Sequence, residues 1–247
     1  MTQSQDQRQS MMSHLLALRK ILVVSAGAIA AAFFLIFSLA IDPLMGLLLQ
    51  PISARGIEVI YTAMSEALTT KMKVALIAAV VATSPIVFWQ VWSFVKPALY
   101  THEKKAIRLL FFVTVILFLL GVAFCYGVVY MLAVDFFIVS GENLAVPMLS
   151  IDKYVSFLFG FVVPFGLAFE LPVILYVTTR MGVTNYQMLA SKRKFVILAV
   201  VVIAAILTPP DVVSQVLLAI PILLLFEVAL LICRHVKPKE AEKTEEE

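Results

Sequence analysis

The sequence predicts an all-α membrane protein of six transmembrane helices with both termini on the cytoplasmic side. Three observations carry this. The chain of 247 residues is 62% hydrophobic and only 14% charged, where a soluble domain carries about a quarter charged residues. Its apolar residues fall into long stretches with few or no charges, the signature of spans across a ~30 Å hydrocarbon core. Its lysines and arginines sort strongly to alternate connecting segments.

Taken in order, 21–41, 74–95 and 109–134 contain no charged residue and are each about 20 residues or longer. The fourth span, 154–179, is interrupted once, by Glu170. The fifth, 195–207, is apolar but short, about 20 Å at 1.5 Å per residue. It ends at Thr208-Pro209-Pro210-Asp211, because proline cannot continue helical hydrogen bonding. Asp211 is placed as N-cap of the sixth span, 212–233, which is apolar except for Glu227. A span as short as the fifth either thins the local bilayer or is extended by snorkelling of the neighbouring Lys192–Lys194.

With the N-terminus inside, the cytoplasmic segments hold 15 lysines and arginines and the outer segments 4 (Arg55, Lys71, Lys73 and Lys153). The positive-inside rule therefore places both termini in the cytoplasm. The first outer segment contains "PLMGLLLQPI", apolar but too short to span, which either lies along the interface or packs on the bundle. The tail "KEAEKTEEE" is too charged to build a core, so residues 1–235 are expected to form a single membrane domain and 236–247 a disordered tail. The first twenty residues lack the short apolar core of a removable signal peptide. Cys125 and Cys233 both sit in apolar runs and imply no disulfide framework.

The run "FGLAFELPVILY" carries the least comfortable residue. Glu170 stands ten residues before Arg180, so about 15 Å from the cytoplasmic boundary and near mid-membrane. An acid there costs about 2.5–3.5 kcal/mol on insertion scales. It is offset by protonation, by a donor on a neighbouring helix, or by water in a groove. Pro172 and Pro164 withdraw donors from the carbonyls of Ala168 and Gly160, so this helix is expected to bend and to wall a concave surface. Glu170 either serves that surface functionally or holds the kink. Glu227 is expected to snorkel or to pair near Arg234. Gln215 either lines the same groove at another level or serves helix capping and helix–helix contact.

The cytoplasmic loop "FVKPALYTHEKKAIRLL" joins spans two and three. Thr101 is a candidate N-cap, and Glu103 lies in the following first turn, where a negative charge suits the helix dipole. Glu103 is also a rim carboxylate with few acids around it, suited to an incoming arginine through charge-assisted bonds. "HEKKA" lacks the second histidine of a zinc-protease motif. Two other function classes compete. A proton-coupled small-solute transporter would use Glu170 as its proton site, but the paired broken helices of two related halves are missing. An intramembrane enzyme would need a catalytic constellation, whereas His14, His102 and His235 all lie at the cytoplasmic edges. No residue pattern suggests a metal, a bound cofactor or a nucleic-acid partner.

Four motifs in order, "HLLALRK", "SPIVFWQVWSFVKPALYTHEKK", "FGLAFELPV" and "LTPPDVVSQVLLAIPILLLFE", resemble the TatC family, the core subunit of the twin-arginine protein translocase. The likeness runs from about His14 to Phe226. It implies a glove-shaped six-helix bundle with short helices five and six, in the bacterial cytoplasmic (inner) membrane. It also implies binding of the twin-arginine signal peptides of folded cargo, assembly with TatB-like and TatA-like single-span proteins, self-association, and use of the proton-motive force without nucleotide hydrolysis.

By that resemblance Glu103 matches the glutamate that receives the arginine pair, Phe94 a loop aromatic linked to it, and Arg19 the arginine of the amino-terminal motif. Pro51 matches a proline of the first outer loop and Glu170 the glutamate of the concave face. Asp211 and Gln215 match an outer-turn acid and a polar residue of helix six. Apolar residues of helices five and six match a dock for partner helices. One position departs: Ala17 stands where family members commonly carry a glutamate thought to help hold the two arginines, leaving Glu103, or an acid elsewhere, to supply more of the recognition.

Overall fold

The computed structural model describes residues 2–99, 104–141, 148–208 and 211–236. Helix α1 (Thr2–Leu39) turns at Ala40 into α2 (Ile41–Ser53). The apolar stretch of the first outer segment is therefore helical. It buries Ile41, Met45, Pro51 and Ile52, with Met45 four and Ile52 eleven residues after Ile41 on one helical face, and so packs on the bundle. A short strand β1 (Val59–Ile60) leads to α3 (Glu66–Leu99).

The third span is one long helix in three parts. They are α4 (Lys104–Phe124), a π-helical turn (Cys125–Tyr130) and α5 (Met131–Gly141). Strand β2 (Leu149–Ser150) then pairs in parallel with β1, Val59 opposite Leu149 and Ile60 opposite Ser150. This small sheet ties the connection after the first span to the connection after the third, so both lie on one face of the molecule.

The fourth span is broken. Helix α6 (Ile151–Ala168) continues through Pro164, and the interruption falls at Phe169 and Glu170, before α7 (Leu171–Arg180). The Phe169 N–H still reaches Phe165 O (3.1 Å), but that of Glu170 turns to Leu167 O (3.1 Å), a tighter three-residue closure. Pro172, second residue of α7, has no N–H to give Ala168.

A short helix, α8 (Tyr186–Ser191), precedes α9 (Arg193–Leu207) and α10 (Val212–Arg234). Among the described residues, five helical segments are long and apolar enough to cross a bilayer. The sixth, α9, is short at 15 residues, as read from the sequence. Helix α10 has 23 residues and full spanning length, so of the two helices expected to be short only α9 is.

The core centres on α6, whose Val155, Leu158, Phe161 and Phe165 are fully buried, whereas α1 packs chiefly on α3 at the periphery. Lipid is as apolar as leucine, so close backbone approach and polar contacts hold such helices together. A Cβ on Gly121 would lie 2.8 Å from Phe165 O, so α4 and α6 touch backbone to backbone there. A Cβ on Gly160 would lie 2.9 Å from Leu207 O, which brings the end of short α9 directly onto α6. Between α3 and α4, the buried Trp92 indole donates to Thr114 Oγ1 at 3.2 Å.

Candidate functional site

Glu170 occupies the cap position of α7 without capping it by its side chain. Only 6% of the residue is exposed, and its Oε1 has no hydrogen-bond partner in the protein. The carboxyl is therefore held inside the protein at a helix break, mid-way along a span. A buried polar atom left unmatched is costly.

Arg180, in the last turn of α7, and Arg234, in the last turn of α10, mark the opposite face from the β1–β2 sheet. Arg19 on α1 and Phe94 on α3 lie toward that face, both exposed, on antiparallel helices that pack together. Glu103 and Thr101 lie outside the described residues, as do the side chain of Ala17 and the tail from residue 237 onward.

On the sheet face, Asp211 caps α10 as expected: its Oδ1 accepts the Ser214 N–H at 2.7 Å from extended backbone. Gln215 lies in the first turns of α10. Its Nε2 donates to Val201 O at 3.1 Å and so joins α10 to α9, which is the helix–helix alternative. Glu227 pairs with Arg193 at 2.9 Å rather than with Arg234. The reason is electrostatic. Helix α9 opens with Arg193 and Lys194, cations at the positive end of a helix dipole, and an acid from α10 relieves them.

Sequence reasoning passed over the densest polar centre among the described residues. Glu66, in the first turn of α3, accepts from Thr62 N–H and Oγ1 (2.8 Å), Ala63 N–H (3.2 Å), Ser150 Oγ and Asp152 N–H (3.1 Å). A carboxylate is acceptor-only, so five donors suit the ionised form. An acid opening a helix was the available signal, but its partners at Ser150 and Asp152 are remote in sequence. Cations of the same face find acids: Lys73 with Asp152 (2.5 Å), Lys71 with Asp42 (2.8 Å) and Arg55 with Asp135. Pro51 lies inside α2, buried, and its carbonyl accepts from the Arg55 guanidinium.

Fold and site together define a multi-pass, all-α membrane protein with a buried carboxylate at a helix break and a cross-braced loop face. Residues 13–221 match the family described as "Sec-independent protein translocase protein (TatC)". A protein of that name from Carboxydothermus hydrogenoformans is 39% identical over 237 residues, covering 96% of this chain and 97% of its own. The one from Aquifex aeolicus is 39% identical, covering 93% and 96%. The one from Haemophilus influenzae is 35% identical, covering 96% and 93%. Among solved structures, the twin arginine translocase receptor TatC crystallised in DDM superposes with a TM-score of 0.83 at 39% identity, covering 89% of this chain and 99% of its own. The chain belongs to the TatC family, and is a membrane component of the Sec-independent protein translocase. These relatives are translocase proteins, so the solute-transporter reading gains no support from them.

Proposed function

We propose that this protein receives twin-arginine signal peptides at the cytoplasmic face of the bacterial inner membrane and, with TatA-like and TatB-like partners, exports folded cargo using the proton-motive force. The near full-length likeness to a twin arginine translocase receptor carries the reading. Both termini face the cytoplasm, as the lysine and arginine distribution requires. The arginine pair docks at Glu103 through charge-assisted bonds, and Phe94 and Arg19 contribute to the same recognition, as the family resemblance implies. The apolar part of the signal peptide then enters along the fourth span, where Glu170 offers a polar contact or a proton site. Pro51 and Asp211 shape the outer turns, while α9 and α10, with Gln215, present the surface on which partner helices dock.

The test is export of a folded twin-arginine reporter in cells lacking their own subunit. The wild-type chain restores export. Glu103→Gln abolishes capture of the signal peptide, and Glu170→Gln permits capture but lowers export. Unchanged capture and export in both variants would overturn the assignment.

A further inference from the structure

Two departures from regular helix face each other on the sheet side of the molecule. Pro51 has no N–H, so the carbonyl of Leu47, four residues earlier, loses its helical donor. Such a carbonyl is open to another partner. It accepts from the Tyr126 hydroxyl at 2.7 Å. The next carbonyl, that of Leu48, accepts from the Tyr154 hydroxyl at 2.8 Å.

Tyr126 belongs to the π-helical turn at Cys125–Tyr130. Such a turn holds one residue more than an α-turn, and so re-aims the side chains it carries. Its ring stacks on Tyr130 (centroids 6.2 Å apart, planes 14° apart), and the buried Tyr130 meets Tyr154 edge-on at 5.6 Å. Three rings from two spans thus end in two hydroxyls set on successive carbonyls of α2.

We propose that Pro51 is a positioning residue that acts through Tyr126. It leaves one backbone acceptor open on α2, the π-turn aims one hydroxyl at it, and the pair sets the register of α2 on the third span during export. The structural half stands alone, and the export half rests on the function proposed above.

A double-mutant cycle tests it, with Tm in detergent, twin-arginine peptide binding and reporter export measured for wild type, Tyr126→Phe, Pro51→Ala and the double variant. Alanine restores an N–H for Leu47, so loss of the hydroxyl should matter only beside proline. Tyr126→Phe should lower Tm by about 3 °C or more beside Pro51 and by less than half as much in the Pro51→Ala background. Peptide binding should stay at the wild-type level. Export should fall in each single variant and no further in the double. Equal Tm losses in both backgrounds, or additive export losses, would overturn the proposal. Should Tyr126→Phe fail to accumulate, recovery of the double variant supports the joint and its continued absence refutes it. A wild-type chain that exports no twin-arginine reporter would refute the proposed function and leave the Tm cycle to decide the joint.

Discussion

Glu170 is held where stability alone would not put it. Its Oε1 is buried without a partner, and removing an unmatched polar group does not cost what breaking a satisfied one costs. Glu170→Leu should therefore leave Tm unchanged or higher while export falls, and a large drop in Tm would show that the carboxyl holds the break together. Ala17→Glu tests the one departure from the family's amino-terminal motif. A single charge-assisted bond is worth roughly 1.5–3 kcal/mol when shielded and less at a wet rim, so peptide affinity should rise by about tenfold or less. Equal affinities, measured by titration with a twin-arginine peptide, would show that no contact is lost at Ala17. At this scale the sequence was most legible for isolated oddities. A carboxylate in an apolar run stands out from its neighbours alone, whereas Glu66 looks like any acid opening a helix until Ser150 and Asp152 arrive beside it.

Helices read from hydropathy agree with the structure wherever local chemistry decides. Asp211 caps α10 because its own side chain reaches the Ser214 N–H, three residues on. Asp211→Ala should cost about 0.5–2 kcal/mol, visible as a lower Tm in detergent, and an unchanged Tm would mean that the cap contributes nothing. Helix–helix bonds are smaller. Thr114→Val removes the partner of the Trp92 indole and should cost on the order of 0.6 kcal/mol, the average for such bonds in membranes. The shift should therefore be smaller than that of Asp211→Ala, and the reverse order would contradict this ranking. Where long-range contact decides, hydropathy falls short. That Gln215 joins two helices is invisible until Val201 O is found 3.1 Å away. Glu227 reads as a neighbour of Arg234 until α9 brings Arg193 to it.

Across the whole molecule, the loop face is braced by one satisfied carboxylate more than by its ion pairs. The side chains of the pairs Lys71–Asp42, Lys73–Asp152 and Arg55–Asp135 are all substantially exposed to solvent, and such pairs contribute about 0–1 kcal/mol each. Glu66, by contrast, joins the two connecting segments that β1 and β2 pair. Glu66→Ala should speed amide exchange at Thr62, Ala63 and Asp152 together, while Lys71→Ala should leave those amides protected. Equal protection in both variants would remove Glu66 from that role. The sequence by itself determined which segments enter lipid, their order, the short α9 and the cap that starts α10. Burial in a bilayer and capping are settled by side chains within a turn or two of each other. Only the tertiary structure decided that Glu66 meets Ser150, 84 positions away, that Tyr126 meets the Leu47 carbonyl, 79 positions away, and that α9 ends against Gly160. Those meetings depend on how the helices pack, and packing in lipid follows from shape and a few matched polar atoms, neither of which a hydropathy pattern encodes.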